Sequence, residues 1–137
     1  KETRILFDQI TTKSLFLEPV PTGRTLGEII IHMIRGFEYY LQGLVKQQWE
    51  PLPYTLEIYK DRKSILKIYD DVVGICNNYL DELVSINLNE SINYSSKQFT
   101  KLEILLEFLE HSIGHRGQIL VYFRLLGIKP DKIPFKV

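Results

Sequence analysis

Cysteine and histidine are both scarce in this chain, which has one cysteine and three histidines among 137 residues. The single thiol, Cys76, cannot form an internal disulfide, so nothing indicates a small secreted protein held together by disulfides. Cys76 falls in an apolar stripe at helical spacing, and this position predicts a core residue rather than a nucleophile.

Long apolar runs and targeting signals are also lacking. No run approaches the roughly 20 apolar residues that a membrane-spanning helix needs. The first residues show no basic region followed by an apolar one, so no secretory signal is predicted and the expected compartment is the cytoplasm. Because the sequence starts at Lys1 rather than at a methionine, we expect any missing N-terminal residues to belong to the first helix.

An excess of charge of either sign is absent, because 17 Lys and Arg residues balance 17 Asp and Glu residues. Nucleic-acid-binding domains usually carry a basic excess or a basic stripe, so neither nucleic acid nor a membrane is the expected partner. A glycine-rich phosphate-binding loop is missing as well. A composition with 45% apolar and 25% charged residues is ordinary for a globular protein, and the length fits one domain over residues 1–137.

Helical periodicity predicts three strong helices. The first, over residues 26–47, follows a capping-box pair, Thr25 and Glu28, whose side chains satisfy each other's backbone amides. The second spans residues 61–84, with apolar side chains at the i, i+3, i+4, i+7 spacing. The third spans residues 100–126 and ends before a glycine and a proline.

The remaining segments give weaker indications of secondary structure. Residues 1–14 have a narrow apolar stripe and predict a marginal first helix. Residues 85–98 are rich in Asn and Ser and predict either a long loop or a short ribbon. The tail, residues 131–137, is expected to be extended, with Ile133 and Phe135 packed on the body. Amphipathic helices in one small chain must bury their stripes against each other, which predicts an all-α four-helix bundle.

Two of the three histidines, His111 and His115, lie four residues apart on the last helix. Residues at this spacing share a helix face, with Cβ atoms roughly 6 Å apart, so both rings can point at one centre. Neutral imidazole is the commonest ligand of divalent transition metals. His32 lies at the edge of the apolar stripe on the predicted helix over residues 26–47. It can supply a third ligand if this helix packs side by side with the last helix. Three protein ligands leave coordination positions open, which is typical of catalytic sites.

The spacing alone also allows a metal-free interpretation. Histidines four residues apart occur on solvated faces, and a buried imidazole is often satisfied by a hydrogen bond to a neighbouring carbonyl. A helical bundle with buried histidines and no metal is therefore an alternative at this point.

Two segments resemble the motifs of a known family. TLGEIIIH, ending at His32, and HSIGHRGQILVYFRLLGIKP, starting at His111, are similar in order, spacing and separation to the second-helix and last-helix motifs of the DinB-like (YfiT-like) superfamily. The chain departs from the common pattern at Arg24, where many members have tryptophan. The resemblance implies a four-helix bundle with a long crossover connection, which frequently forms dimers.

The resemblance also implies a divalent transition metal bound by His32, His111 and His115, with zinc and nickel as the leading ions. Its implied activity is a thiol-dependent S-transferase or a related reaction that uses a low-molecular-weight thiol co-substrate and a small-molecule substrate. The catalytic group is unknown, and a metal-bound water or thiolate is the hypothesis. The alternatives are a non-catalytic, stress-induced metal-binding bundle that binds a small molecule or partner, and a metal-dependent hydrolase.

Five further residues are candidates near this site. Three of them could orient a histidine or line a pocket, namely Glu28, Glu107 and Gln118. The alternative for Glu28 is helix capping, and the alternative for Glu107 is a solvated helix face. The alternative for Gln118 is a hydrogen bond within the bundle. Gly114 and Gly117 flank His115, and each costs roughly 1 kcal/mol of helix stability relative to alanine. We expect them to mark a close approach of another helix.

Overall fold

The computed structural model describes residues 2–131, in which four helices and one antiparallel ribbon form the fold. The elements are α1 (Glu2–Phe7), a 3₁₀ turn (Lys13–Phe16), α2 (Leu26–Lys46), α3 (Arg62–Leu83), β1 (Ser91–Tyr94), β2 (Lys97–Thr100) and α4 (Lys101–Leu125). The predicted helical-bundle class is confirmed, with the small ribbon as an addition. The expected extended tail lies outside the described residues beyond Asp131. Over residues 2–131, no helix combines the length and the apolar content needed to cross a bilayer.

Each of the three long helices begins with a capping box, as predicted for α2. The backbone N–H of Thr25 donates to the Glu28 carboxylate at 2.7 Å, and the Glu28 N–H donates back to the Thr25 hydroxyl at 3.2 Å. Thr100 and Glu103 repeat this exchange at the start of α4, and Asp61 caps α3 through the same reciprocal pattern. Each pair satisfies two backbone amides that the first helical turn leaves without partners, so the start of each helix is locally specified.

The central helix of the fold is α2, which packs against both α3 and α4. Its apolar face is completely buried; the side chains with at most 1% exposure are Leu26, Ile30, Met33, Ile34, Leu41 and Leu44. The short helix α1 lies on the C-terminal half of α4, where Arg116 pairs with Glu2 at 3.1 Å. Since α2 is held from two sides, its position relative to α4 is well determined.

The first helix is shorter than the predicted one, which covered residues 1–14, because α1 ends at Phe7. Thr11 and Ser14 exchange three local hydrogen bonds between side chains and backbone, at 2.8–3.1 Å. Such bonds offer the backbone an alternative to helical pairing, which explains why the helix stops.

The connection between α2 and α3, residues 47–61, returns along α2, and Trp49 and Tyr54 make two of its contacts with that helix. Trp49 packs on Gly43, where a Cβ atom would lie 2.1 Å from the indole ring, so only glycine allows this contact. The Tyr54 hydroxyl donates to the carboxylate of Glu38 at 2.7 Å, and Glu38 is only 7% exposed. A buried carboxylate needs such a donor, because an unsatisfied buried polar group is costly.

The segment predicted as a loop or a ribbon is a ribbon. Ser95 and Ser96 form its turn with positive φ angles of 50° and 66°, as in the turns that match strand twist in tight hairpins. Ile92 is buried, and the Tyr94 ring packs on Trp49 with centroids 4.5 Å apart. The ribbon therefore joins the α2–α3 connection above the same end of α2.

Tyr54→Phe is expected to lower the free energy of unfolding by about 1–3 kcal/mol, because it leaves the buried Glu38 carboxylate without its hydrogen bond. Urea denaturation followed by far-ultraviolet circular dichroism measures the change. Tyr59→Phe is the matched control, since within residues 2–131 the Tyr59 hydroxyl makes no hydrogen bond. Equal losses in the two variants would contradict this role for Tyr54.

Candidate metal centre and adjoining cleft

The three histidines of the chain meet at one point between α2 and α4. Their ligand nitrogens all lie within 4.8 Å of one another, and each residue is half-buried. Nε2 of His32 and Nε2 of His111 are 3.2 Å apart. The His115 ring centroid lies 4.7 Å from that of His32 and 4.4 Å from that of His111. The structure thus brings together the three residues proposed from the sequence, and this cluster could hold a metal ion.

A glycine on α2 makes this convergence possible. Gly36 lies one turn after His32, and a Cβ atom there would lie 2.4 Å from Cε1 of His111. The His111 ring therefore rests directly against the backbone of α2. Any side chain at position 36 would occupy the space that the imidazole now fills.

The spacing and chemistry of the donors fit a divalent ion. Two nitrogen ligands on one tetrahedral zinc ion, each about 2.0–2.1 Å from it, lie about 3.3 Å apart, close to the 3.2 Å between Nε2 of His32 and His111. Without a cation, one of these Nε2 atoms must carry a proton and donate to the other. With a cation, both lone pairs are used. Nδ1 of His111 is buried and has no hydrogen-bond partner in residues 2–131.

Gln118 orients the third imidazole. Nδ1–H of His115 donates to Oε1 of Gln118 at 2.8 Å. This hydrogen bond selects the tautomer in which Nε2 carries the free lone pair, as metal-ligating histidines commonly require.

The two candidate glutamates do not touch the histidines directly. Glu28 is used by the capping box of α2, as the alternative for this residue expected. Glu107 accepts a hydrogen bond from the Tyr40 hydroxyl at 3.2 Å, and the Tyr40 ring lies 5.5 Å from the His111 ring. Glu107 therefore fixes a ring that packs on the histidine cluster.

Burial and neighbouring charge keep two of the imidazoles neutral. Burial, with smaller contributions from the adjacent His115 and His32, lowers the pKa of His111 to about 4. Burial also lowers the pKa of His32, with smaller contributions from His115, Arg24 and Arg35. Both rings are therefore unprotonated at pH 7, which is the form that binds a metal.

A cleft of about 340 Å³ opens beside His32 and His111. We call it the aromatic cleft, and its other main walls are Arg35, Tyr39, Tyr40, Trp49, Leu52 and Tyr94. The cleft itself is not predicted by the sequence. Arg35 could have been found from its position one turn after His32, but Trp49 and Tyr94 lie outside the helices, where periodicity carries no signal.

The expectation for the two glycines beside His115 is wrong. A Cβ atom at Gly114 or Gly117 would meet no atom within 4 Å among residues 2–131, so no other helix approaches them. Cys76 is a core residue as predicted. It is 7% exposed, and burial, with a smaller effect from the Glu38 charge, raises the pKa of its thiol to about 12. A thiol with this pKa is a poor nucleophile near neutral pH.

Comparison with known proteins points to one family. A family model described as the DinB superfamily matches residues 1–119. The structure is similar to that of a DinB-like protein from Bacillus cereus, with a TM-score of 0.77 and 21% identity over 96% of this chain and 88% of the other. It is also similar to a DinB-like protein from Bacillus subtilis, with a TM-score of 0.73 and 22% identity over 98% and 88%. A search of curated proteins found no match.

Proposed function

The chain belongs to the DinB superfamily, and from this premise we propose that it is a divalent-metal-dependent enzyme whose metal is held by His32, His111 and His115. The observation that carries the proposal is the convergence of three imidazole nitrogens within 4.8 Å beside an open cleft. Within the described part of the chain, no carboxylate or thiol joins this cluster. Three protein ligands with no fourth are typical of catalytic rather than structural sites.

The leading reaction class is a thiol-dependent transfer, with zinc or nickel as the ion. A bound divalent ion would supply Lewis acidity, which lowers the pKa of a coordinated thiol or water toward neutrality. Residues of the chain would form the environment of this ion and its substrate. Burial keeps His111 neutral, Gln118 orients His115, and the aromatic cleft provides space for a substrate next to His32.

Two other functions fit parts of the same site. A metal-dependent hydrolase would use the same histidines with water instead of a thiol. A non-catalytic, stress-induced metal-binding bundle would use the aromatic cleft to bind a small molecule without converting it. The absence of a fourth ligand among residues 2–131 favours an enzyme over the second of these.

We also propose a homodimer formed through the outer face of α4. An apolar stripe runs along this face, and its members, 40–52% exposed, are Leu102, Leu106, Leu109 and Ile113. A helix that is apolar on both its inner and outer sides is typically covered on both. A second copy is the occupant we propose, since a two-fold axis places the same stripe of two chains face to face.

Purified protein is expected to contain a stoichiometric amount of a divalent transition metal, and His111→Ala is expected to lose most of it. Elemental analysis after gel filtration measures both. Glu110→Ala, at the exposed position next to His111, is the matched control and is expected to keep the metal. EDTA is expected to lower the melting temperature of the parent protein, because a ligand that binds only the folded state stabilises it. A parent without metal, and with a melting temperature unchanged by EDTA, would contradict the proposal.

An activity assay separates the three functions. Metal-loaded protein is expected to accelerate the conjugation of a low-molecular-weight thiol such as glutathione with chlorodinitrobenzene, and His111→Ala is expected to abolish this acceleration. Thiol-independent hydrolysis of nitrophenyl acetate would support the hydrolase instead. Stoichiometric metal with neither activity would support the non-catalytic bundle.

Gly36→Ala is expected to weaken metal binding by roughly 10–100-fold, since the added methyl group occupies the position of the His111 ring. Competition with a chromophoric chelator measures the affinity. Gly74→Ala is the matched control, because a Cβ atom there meets no atom within 4 Å in the described structure. It should leave the metal affinity unchanged and raise stability by up to about 1 kcal/mol. Equal metal affinities in the two variants would show that the Gly36 contact does not position His111.

Leu109→Glu is expected to convert the dimer to a monomer, because it places a charge in the centre of the proposed apolar interface. Sedimentation velocity measures the change. Leu80→Glu on α3 is the control, since Leu80 is a similarly exposed leucine, at 45%, outside the stripe. A monomeric parent protein would contradict the proposal and leave the stripe to be covered by another segment or partner.

A further inference from the structure

We infer that the aromatic cleft binds a small monocarboxylic acid with a planar apolar body, and that Arg35 recognises its carboxylate. As the assignment of a substrate class, this inference rests on the proposed function. As a statement about binding, it depends only on the walls of the cleft.

The guanidinium group of Arg35 has no hydrogen-bond or ion-pair partner among residues 2–131. Three arginines in residues 2–131 are half-buried, namely Arg4, Arg35 and Arg116. Arg4 pairs with Asp8 and Asp70, and Arg116 pairs with Glu2. Arg35 alone of the three has no hydrogen bond or ion pair within the described structure. A partly desolvated guanidinium with five free donors is a ready site for an anion.

The position of Arg35 directs this anion toward the histidines. Arg35 follows His32 by three residues on α2, so the two side chains share a helix face. Both line the aromatic cleft, and the charge of Arg35 contributes to the lowered pKa of His32. A carboxylate paired with Arg35 would hold the rest of the molecule in the cleft beside the proposed metal centre.

With no metal bound, the charge of the cleft fits a monoanion rather than a phosphate. With its histidines neutral, Arg35 is the only charged side chain among the described residues that line it. A second cavity of about 350 Å³, which Arg35 also lines, includes Glu28 and Glu57 together with Arg24. The net negative charge of these three side chains near the guanidinium disfavours a phosphate that carries about −1.5 to −2 at neutral pH. The planar guanidinium matches a carboxylate through two parallel hydrogen bonds.

The walls of the cleft favour a planar apolar body. Trp49 and Tyr94 have ring centroids 4.5 Å apart, and Tyr39 lies 5.5 Å from Trp49. The Tyr40 ring lies 6.4 Å from the Tyr94 ring and contacts His111. Rings that already pack against each other present a rigid aromatic surface, which recognises planar groups by offset stacking and edge contacts. A volume of about 340 Å³ is at the small end of the roughly 300–1,000 Å³ range of ligand pockets.

The single tryptophan of the chain allows a direct binding assay. Trp49 lines the cleft, so its fluorescence reports occupancy there. We would titrate the protein with phenylpropionate and with phenylpropionamide, its uncharged counterpart, both as purified and after treatment with EDTA. In the EDTA-treated protein, the acid is expected to bind at least about tenfold more tightly than the amide, because a charge-assisted hydrogen bond is worth about that factor.

Arg35→Gln is expected to remove the preference for the acid and leave the affinity for the amide unchanged, while Arg35→Lys restores part of the preference. Arg124→Gln is the matched control, since Arg124 is an exposed arginine near the end of α4 that does not line the cleft. Failure of the parent to bind phenylpropionate, equal affinities for acid and amide, or an unchanged preference in Arg35→Gln would each overturn the inference.

The EDTA-treated protein keeps the two proposals apart. A carboxylate can also bind a metal directly, so a preference that exists only in the metal-containing protein would overturn the role of Arg35 while leaving the metal centre intact. A preference that persists in a protein found to hold no metal would support Arg35 while contradicting the proposed enzyme.

Discussion

The approach of the His111 imidazole to the backbone of α2 at Gly36 is the constraint on which the site depends. His32 and His111 are 79 positions apart in the chain, so only the packing of α2 against α4 brings their nitrogens to 3.2 Å. His115 follows His111 by one helical turn, and one contact between the helices therefore positions all three rings. Because α2 is also held by α3, the donors are arranged before any ion arrives, and little ordering remains to be done on binding.

The site concentrates polar groups that the rest of the fold avoids. The bundle elsewhere pairs its buried charges, as Lys101 does with Glu90 at 2.6 Å. At the site, Nδ1 of His111 is buried without a hydrogen-bond partner in residues 2–131, and Arg35 makes no ion pair with any of these residues. Departures of this kind from otherwise consistent packing are typical of functional positions. They occur next to one cleft, which separates this region from the ordinary core around Cys76.

The sequence was sufficient for features that depend on local order. The start of α2 is predicted correctly because its capping pair, Thr25 and Glu28, is three residues apart and needs no tertiary contact. The pairing of His111 with His115 follows equally from spacing. The prediction that His32 is the third metal ligand requires more than spacing. It depends on the assumption that α2 and α4 pack side by side and on the resemblance to a family.

The features that were missed or mistaken depend on tertiary contacts. Gly36 and Gly114 look alike in the sequence, since each lies in a helix near a histidine. A Cβ atom at Gly36 would collide with His111, whereas one at Gly114 would meet no atom within 4 Å in residues 2–131. Trp49 and Tyr94 come from a connection and a ribbon, and their meeting at 4.5 Å has no periodic signal along the chain.

The helices and the connections therefore carry different parts of the proposed function. His32, His111 and His115 all lie on α2 and α4, and these helices are the shared framework of a fold that persists at 21–22% identity. Trp49 and Tyr94, which complete the cleft, lie on segments held to α2 by side-chain contacts rather than by the bundle itself. Connections tolerate changes in sequence and length better than a packed core does. The shared fold therefore carries the residues of the proposed metal centre, and the substrate must be inferred from the cleft of this chain.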